Sequence, residues 1–217
     1  MKITLVRHAE VDEAYHKCYN GHIDIGLSAK GKEQAQQLGK DFEDKEFSAV
    51  FCSDLKRCKQ TLEHFELDIK PVYTSALREK SWGRHEGMTF DEIIANEDFG
   101  YEDFEQWINA LDGEEYSEYI KRIEGFFTGF LPANPYDNVL VITHAGVIRV
   151  LMHILQNITL EEAFCKNFAY ANSITLTPGT LTTDVRDGHF LVHSLSEAGI
   201  EELKTGEMER RIRRLGL

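Results

Sequence analysis

The pattern of apolar and polar positions along the chain predicts alternating strands and helices. Residues 2–6 and 138–143 are short apolar runs rich in β-branched side chains, which is typical of buried strands. Ala35, Leu38 and Phe42 recur at helical spacing and predict an amphipathic helix. The predicted strands are residues 2–6, 49–52, 69–74, 138–143, 173–177 and 189–193, and the predicted helices are residues 28–43, 54–65 and 147–155. This order indicates an α/β fold, a three-layer sandwich with a mostly parallel central sheet flanked by helices.

Residues 82–136 have a different character and predict a helical cap insertion. The segment is acidic and aromatic, and its apolar residues recur at helical spacing without a convincing strand. We expect it to cover the edge or the active-site end of the sheet, within a single domain of residues 1–217. Four aromatic residues are candidates either for a substrate pocket or, as we expect, for core packing: Phe99, Tyr101, Phe104 and Trp107.

Composition and charge narrow the functional classes. The 217 residues are 42% apolar, enough for one sizeable core, and no run approaches the roughly 20 apolar residues that span a bilayer. The formal net charge of −13 argues against binding to nucleic acid or to an anionic membrane. The four cysteines form no CxxC pair, so neither a zinc site nor a disulfide framework is expected. We expect a cytoplasmic protein, since Arg7 and His8 also interrupt the first apolar run too early for a signal peptide.

Three predicted strands end in polar residues that suit phosphate chemistry. Arg7 and His8 follow the first strand, and Arg57 lies one helical turn beyond the second. His144 follows the strand at residues 138–143 and precedes a predicted helix, whose free N–H groups favour an anion. Ligands of open α/β sheets bind at the carboxyl ends of strands, so these side chains are expected to meet. Guanidinium groups bind phosphate oxygens, and a histidine nitrogen can attack phosphorus, so the pattern predicts a phosphoryl-transfer site.

Five motifs at these positions resemble those of the histidine phosphatase superfamily, the phosphoglycerate-mutase-like proteins. LVRHAE carries Arg7 and His8, and SDLKRCKQT carries Arg57. LREKSWG carries Glu79, and VITHAGVIR carries His144. YNGHID, residues 19–24, resembles the family segment that follows the Arg-His motif. An Arg-His pair alone is a weak signal, but five motifs in the family's order over most of the chain identify it as a member.

The resemblance implies a role for each matching residue. His8 would be the nucleophile, and Glu79 would protonate the leaving oxygen and later take a proton from water. Arg7, Arg57 and His144 would hold the phosphoryl oxygens. Further substrate contacts are implied for Asn20, Gly21, His22 and Ala145. Neither a metal nor another cofactor is implied.

Three positions depart from the usual family pattern, and one assignment has a competitor. Ala9 replaces the glycine after the nucleophile, where its methyl group could crowd the phosphate loop, and Ala145 replaces a glycine often seen after the second histidine. Asp54 stands where many members carry proline; its carboxylate either faces the site and weakens phosphate binding or caps the next helix. Glu86 is the alternative proton donor, although the motif position favours Glu79.

The leading functional hypothesis is a metal-independent phosphomonoesterase acting on a small phosphorylated metabolite. The motifs most resemble those of small phosphatases of the α-ribazole-5′-phosphate phosphatase type. A phosphoglycerate mutase would use the same site and return the phosphoryl group to its substrate, but residues 80–83 differ from the mutases' continuation. A catalytically silent phosphate-binding or regulatory protein is the third hypothesis. The expected assembly is a monomer or a homodimer.

Overall fold

One mixed β-sheet runs through the part of the chain that the structure describes. The computed structural model describes residues 1–98, 100–177, 180–186 and 189–194. The strands are β1 (Lys2–Arg7), β2 (Ala49–Ser53), β3 (Val72–Thr74), β4 (Asn138–Thr143), β5 (Ser173–Thr177), β6 (Thr180–Arg186) and β7 (His189–Ser194). Their order is β3-β2-β4-β1-β5-β6-β7; the first four are parallel, and the last three join antiparallel. The predicted α/β class is confirmed.

Four of the seven described α-helices begin at a residue whose side chain caps them. They are α1 (Ala29–Asp41), α2 (Lys56–Leu62), α3 (Phe90–Asn96), α4 (Phe104–Ala110), α5 (Tyr116–Glu124), α6 (Ala145–Gln156) and α7 (Leu160–Cys165). Ser28 caps α1, since its Oγ accepts a hydrogen bond at 2.9 Å from the amide three residues on. Thr89 and Thr159 begin α3 and α7 with capping boxes closed by Glu92 and Glu162.

Helices cover both faces of the parallel strands. Successive strand side chains point to opposite faces, so Val139 and Val141 of β4 pack in one apolar cluster and Leu140 and Ile142 in another. Residues of α5 and α6 belong to the first cluster, and residues of α1 and α2 to the second. Burial on both faces explains why β4 is a continuous apolar run. Truncation of such a residue, as in Ile142→Ala, should cost about 2–5 kcal/mol of stability.

Most predicted elements are confirmed with shifted ends. The helix predicted from residue 54 begins at Lys56, and no side chain caps it. The strand predicted at residues 69–74 is limited to the three residues of β3. The helix predicted from residue 147 begins earlier, at Ala145. Both α7 and β6 lie where no element is predicted.

The regular structure described between residues 82 and 136 is helical. It comprises α3, α4 and α5, a 3-10 turn and a π-helical turn at Gly125–Phe130. Trp107 is buried in the core with the ring of Tyr101 4.9 Å away, whereas Phe104 lines a cavity. Phe99 lies outside the described residues. None of the described helices is both long and apolar enough to span a bilayer.

Candidate active site

The sheet places two histidines side by side. In the parallel β1–β4 pair Arg7 lies opposite Thr143, so the residues that follow, His8 and His144, leave the sheet together. Their ring centroids are 5.1 Å apart, and both side chains are buried. The carboxyl ends of parallel strands therefore meet here, as the sequence predicts.

His8 is held in a form that leaves one ring nitrogen free. Its Nδ1 lies 2.8 Å from the carbonyl oxygen of Ala9, which assigns the proton to Nδ1 and the lone pair to Nε2. Burial, with the positive charges of Arg57 and Arg7, lowers the pKa of His8 well below its ordinary value. The imidazole is therefore neutral near pH 7, as a nucleophile must be.

Arg7 presents an unsatisfied donor beside His8. Its Nη1 donates to the carbonyl oxygen of Phe168, and its guanidinium lies 3.9 Å from the ring centroid of Tyr170. The buried Nε has no hydrogen-bond partner in the described part of the chain. Burial lowers the pKa of Arg7, but a guanidinium remains charged at neutral pH. An anion at this position would satisfy the free donor.

Arg57 and His144 are joined to each other behind His8. The Nε–H of Arg57 donates to Nδ1 of His144 at 3.2 Å, and Nε2 of His144 lies 2.8 Å from Oγ of Ser53. The Nη atoms of Arg57 donate to the carbonyl oxygens of Ile23 at 3.0 Å and Gly21 at 2.7 Å. If Arg57 or His144 bound phosphate directly, some of these hydrogen bonds would have to break and be replaced by bonds to the phosphate. Their role as phosphate ligands stays a prediction.

Glu86 organises the loop from which backbone phosphate contacts are predicted. Its carboxylate accepts four backbone N–H bonds of 2.7–3.1 Å, from Gly21, His22, Ile23 and Trp82. The amides of Gly21 and His22 thus donate to Glu86, and a phosphate contact through them would require these bonds to break; the predicted contacts of Gly21 and His22 with substrate stay a prediction. The loop requires glycine at position 21, because a Cβ there would lie 2.0 Å from the carbonyl oxygen of Lys80. The acceptor sites of Glu86 are occupied, which argues against its use as the proton donor.

Glu79 reaches the cavity from the other side. The Tyr119 hydroxyl donates to its Oε1 at 2.5 Å, and the amide of Gly146 donates to its Oε2 at 2.9 Å. A Cβ at Gly146 would lie 2.1 Å from Oε1, so only glycine permits this approach. The His22 ring lies next to the Glu79 backbone, with its Nε2 3.0 Å from the Glu79 carbonyl oxygen. The carboxylate is therefore oriented by α5 and by the first turn of α6.

Two departures from the family pattern leave the cavity unaffected. The Ala9 methyl group is buried with Leu27 and Ala35, away from the cavity, so the predicted crowding does not occur. The Asp54 carboxylate receives two hydrogen bonds from Arg78, at 2.6 and 2.7 Å. Arg78 lowers the pKa of Asp54 through these bonds. Asp54 therefore neither caps α2 nor faces the cavity.

Five of the candidate residues line one cavity of about 360 Å³: Arg7, His8, Asn20, Glu79 and Ala145. Four others do not line it: Gly21, His22, Arg57 and His144. Its lining includes Arg7, His8, Asn20, Glu79, Lys17, Lys80, Tyr116, Tyr119, Ala145, Gly146, Arg149, Phe164 and Tyr170. Four of these residues are basic and only Glu79 is acidic, although the chain carries a net charge of −13. Positive charge is thus concentrated where an anionic substrate would bind.

Sequence reasoning missed several lining residues. Arg149 lies four residues after Ala145 and so shares a helix face with it, a spacing that could have revealed it. Tyr116 and Tyr119 come from α5, and no motif marks them. Among the described residues no group of three or more His, Cys, Asp or Glu side chains is placed to hold a metal ion.

Comparison with known proteins agrees with this architecture. The chain belongs to the histidine phosphatase superfamily (branch 1), whose sequence profile matches residues 3–185. A probable phosphatase of Schizosaccharomyces pombe is 27% identical, over 96% of this chain and 99% of its own length. The adenosylcobalamin/alpha-ribazole phosphatase of Escherichia coli is 30% identical, over 70% of this chain and 77% of its own. The crystal structure of the alpha-ribazole phosphatase from Shigella flexneri matches with a TM-score of 0.70 at 24% identity, covering 89% of this chain and 95% of that one; it supports the fold.

Proposed function

We propose that the protein is a phosphomonoesterase that hydrolyses a small phosphorylated metabolite through a phosphohistidine on His8. The observation that carries the proposal is the neutral His8 ring with its free Nε2, beside the unsatisfied Nε of Arg7 and in the same cavity as Glu79. These groups supply a nucleophile, an anion-binding donor and a proton carrier. Membership of the histidine phosphatase superfamily supports the assignment.

The proposed reaction has two displacements. In the first, Nε2 of His8 attacks phosphorus, the ester P–O bond breaks, and protonated Glu79 gives its proton to the leaving oxygen. In the second, water attacks phosphorus while Glu79 accepts its proton, and the P–N electron pair returns to His8. Arg7 and the amide of Ala145, at the start of α6, stabilise the charge on the phosphoryl oxygens. No step calls for a metal or another cofactor.

The proposed setting is the cytoplasm, with a small phosphate ester as the partner. The cysteines Cys18, Cys52, Cys58 and Cys165 are all free, which suits a reducing compartment. The resemblance to relatives that act as alpha-ribazole phosphatases makes α-ribazole-5′-phosphate a first substrate to assay.

The decisive test is covalent labelling of His8. Wild-type protein incubated with a ³²P-labelled aryl phosphate should gain an acid-labile label and release phosphate, and the activity should persist with a chelator present. His8→Asn should lose both label and turnover, whereas His64→Asn, which does not line the cavity, should keep both. Labelled His8→Asn, or loss of wild-type activity that a metal restores, would overturn the mechanism.

The two alternatives give different results in the same assays. A phosphoglycerate mutase incubated with 3-phosphoglycerate would form 2-phosphoglycerate faster than it released phosphate. A silent phosphate-binding protein would bind phosphate without turnover of any ester. We expect phosphate release to dominate.

A further inference from the structure

Unsatisfied polar atoms gather in the cavity. Of the five buried side-chain N or O atoms without a hydrogen-bond partner among the described residues, three belong to residues that line it. These atoms are Arg7 Nε, Asn20 Oδ1 and the Tyr116 hydroxyl. Buried polar groups are nearly always hydrogen-bonded, so such a cluster indicates that a polar ligand supplies the missing partners. The phosphate proposed beside His8 would pair with Arg7 Nε, but the hydroxyl of Tyr116 comes from a different element, α5.

Arg149 supplies a charged partner near Tyr116. Its Nε and Nη2 both donate to the carbonyl oxygen of Lys166, each at 3.2 Å, which fixes the guanidinium plane. Its Nη1 has no hydrogen-bond partner among the described residues. Both groups lie near the Phe164 ring, whose centroid is 5.4 Å from the Arg149 guanidinium carbon and 6.4 Å from the centroid of the Tyr116 ring.

The electrostatics connect these side chains. Burial, followed by the charge of Glu79, raises the pKa of Tyr116, and the positive charge of Arg149 opposes that rise. Tyr116 therefore keeps its proton at neutral pH and is available as a donor. Lys80 is a weaker candidate partner for a ligand anion, because its Nζ is directed towards protein groups: it donates to the carbonyl oxygens of Ser81 at 3.1 Å and Asp112 at 3.5 Å, and it lies 4.3 Å from the Trp82 ring centroid.

We infer that Arg149 and Tyr116 form a second anion subsite, so that the natural substrate carries a carboxylate or another phosphate besides the ester that is cleaved. The inference rests on the proposed function and extends it to a substrate class. A guanidinium N–H and a phenol O–H together match the oxygens of such a group. A substrate that was neutral beyond its phosphate ester would leave the buried Tyr116 hydroxyl unpaired, which is unfavourable.

The test compares esters that differ only in the second anion. Phosphoserine and phosphoethanolamine differ in a carboxylate, and propane-1,3-diol bisphosphate and monophosphate differ in a phosphate. For each pair the readout is a ratio: the kcat/KM of the ester that carries the second anion, divided by the kcat/KM of the ester that lacks it. In one pair we expect the wild-type protein to prefer the ester with the second anion by about tenfold or more, because a hydrogen bond to a charged group contributes that much to binding. The pair that shows the preference identifies the anion.

Two variants assign the preference to the subsite. Arg149→Gln should lower the preferred ratio by about tenfold, and Tyr116→Phe should lower it by about threefold to tenfold. Because the Tyr116 hydroxyl has no hydrogen-bond partner in the part of the chain that the structure describes, Tyr116→Phe should also leave the midpoint of urea unfolding unchanged. Arg84→Gln and Tyr101→Phe, at residues that do not line the cavity, are matched controls and should retain the wild-type ratio.

The outcomes separate this inference from the proposed function. Wild-type ratios near one for both pairs, with normal phosphohistidine formation, would overturn the subsite and leave the phosphatase assignment intact. Equal loss of kcat/KM for both members of a pair in Arg149→Gln would show a structural role for Arg149 and also overturn it. Absence of turnover and of His8 labelling would instead overturn the proposed function.

Discussion

Two glutamates seven residues apart have opposite surroundings, and these surroundings separate their roles. Glu86 accepts four backbone amides, which leaves no acceptor position for a reacting proton. Glu79 accepts from Tyr119 and from the amides of Gly146 and Lys80, and its side chain still lines the cavity. The structure thus favours Glu79 for proton transfer, in agreement with its place in the sequence motif.

Replacing Glu79 tests whether its carboxyl group donates the proton to the leaving oxygen. Glu79→Gln should slow hydrolysis of an alkyl phosphate by about a hundredfold or more, because an alkoxide leaving group needs the proton. A nitrophenyl phosphate should be slowed much less, since its leaving oxygen is stable as an anion. The measurement is kcat across esters of graded leaving-group pKa, with Glu63→Gln, an exposed residue, as the control. Equal slowing across the series would assign Glu79 to binding or structure.

At the scale of an element, residues 20–23 form a loop clamped from two sides. Glu86 accepts the amides of three of its residues, and Arg57 donates to three of its carbonyl oxygens. The loop has no regular secondary structure, so these side chains replace the hydrogen bonds that a helix or strand would provide. The clamp fixes Asn20 at the cavity wall.

Glu86→Gln should therefore act on the loop rather than on proton transfer. The carboxamide replaces an acceptor oxygen with an NH2 group that faces backbone donors, so we expect a loss of about 3 kcal/mol in urea unfolding. The matched control Glu92→Gln, in an exposed capping box, should cost about 1 kcal/mol or less. A Glu86→Gln protein of full stability, with a rate loss confined to poor leaving groups, would instead make Glu86 the acid.

The two elements that sequence analysis missed differ in how visible they were. The α7 helix carries a capping-box signal, Thr159 followed by Glu162, but six residues are too few for a clear apolar period. The β6 strand is a weak pattern stabilised by pairing with β5 and β7, which a single sequence does not reveal. The missed helix matters for the site, because Phe164 of α7 lines the cavity.

Over the whole molecule, the parts of the site that follow from sheet topology could be predicted, and the parts that depend on packing between distant segments could not. His8 and His144 meet because parallel strands share one carboxyl edge. The approach of Tyr116 and Tyr119 depends on the path of residues 82–136, which no local pattern specifies. Sequence alone does not reveal that Glu86 binds the amides of residues 21 and 22, because this pairing is a tertiary contact.

The buried histidines also predict how the stability of the whole molecule depends on pH. Burial lowers the pKa of His8 and of His144 well below the ordinary value of about 6.5. Below pH 6.5 the unfolded chain therefore binds protons that the folded protein does not. The stability from these neutral histidines is complete above about pH 6.5 and is lost as the pH falls towards their folded pKa values.

Each of these histidines should steepen the fall in stability by up to about 1.4 kcal/mol per pH unit below pH 6.5. The measurement is the free energy of unfolding in urea between about pH 5 and pH 7.5, a window above the carboxylate titrations that weaken the Asp54 and Glu10 contacts. His8→Asn removes one titrating group and should reduce the slope by up to about 1.4 kcal/mol per pH unit. Met152→Ala, which opens a core cavity but titrates nothing, should lower stability at every pH without changing the slope. An unchanged slope in His8→Asn would mean that His8 is protonated in the folded protein, and Nε2 would then have no lone pair with which to attack phosphorus.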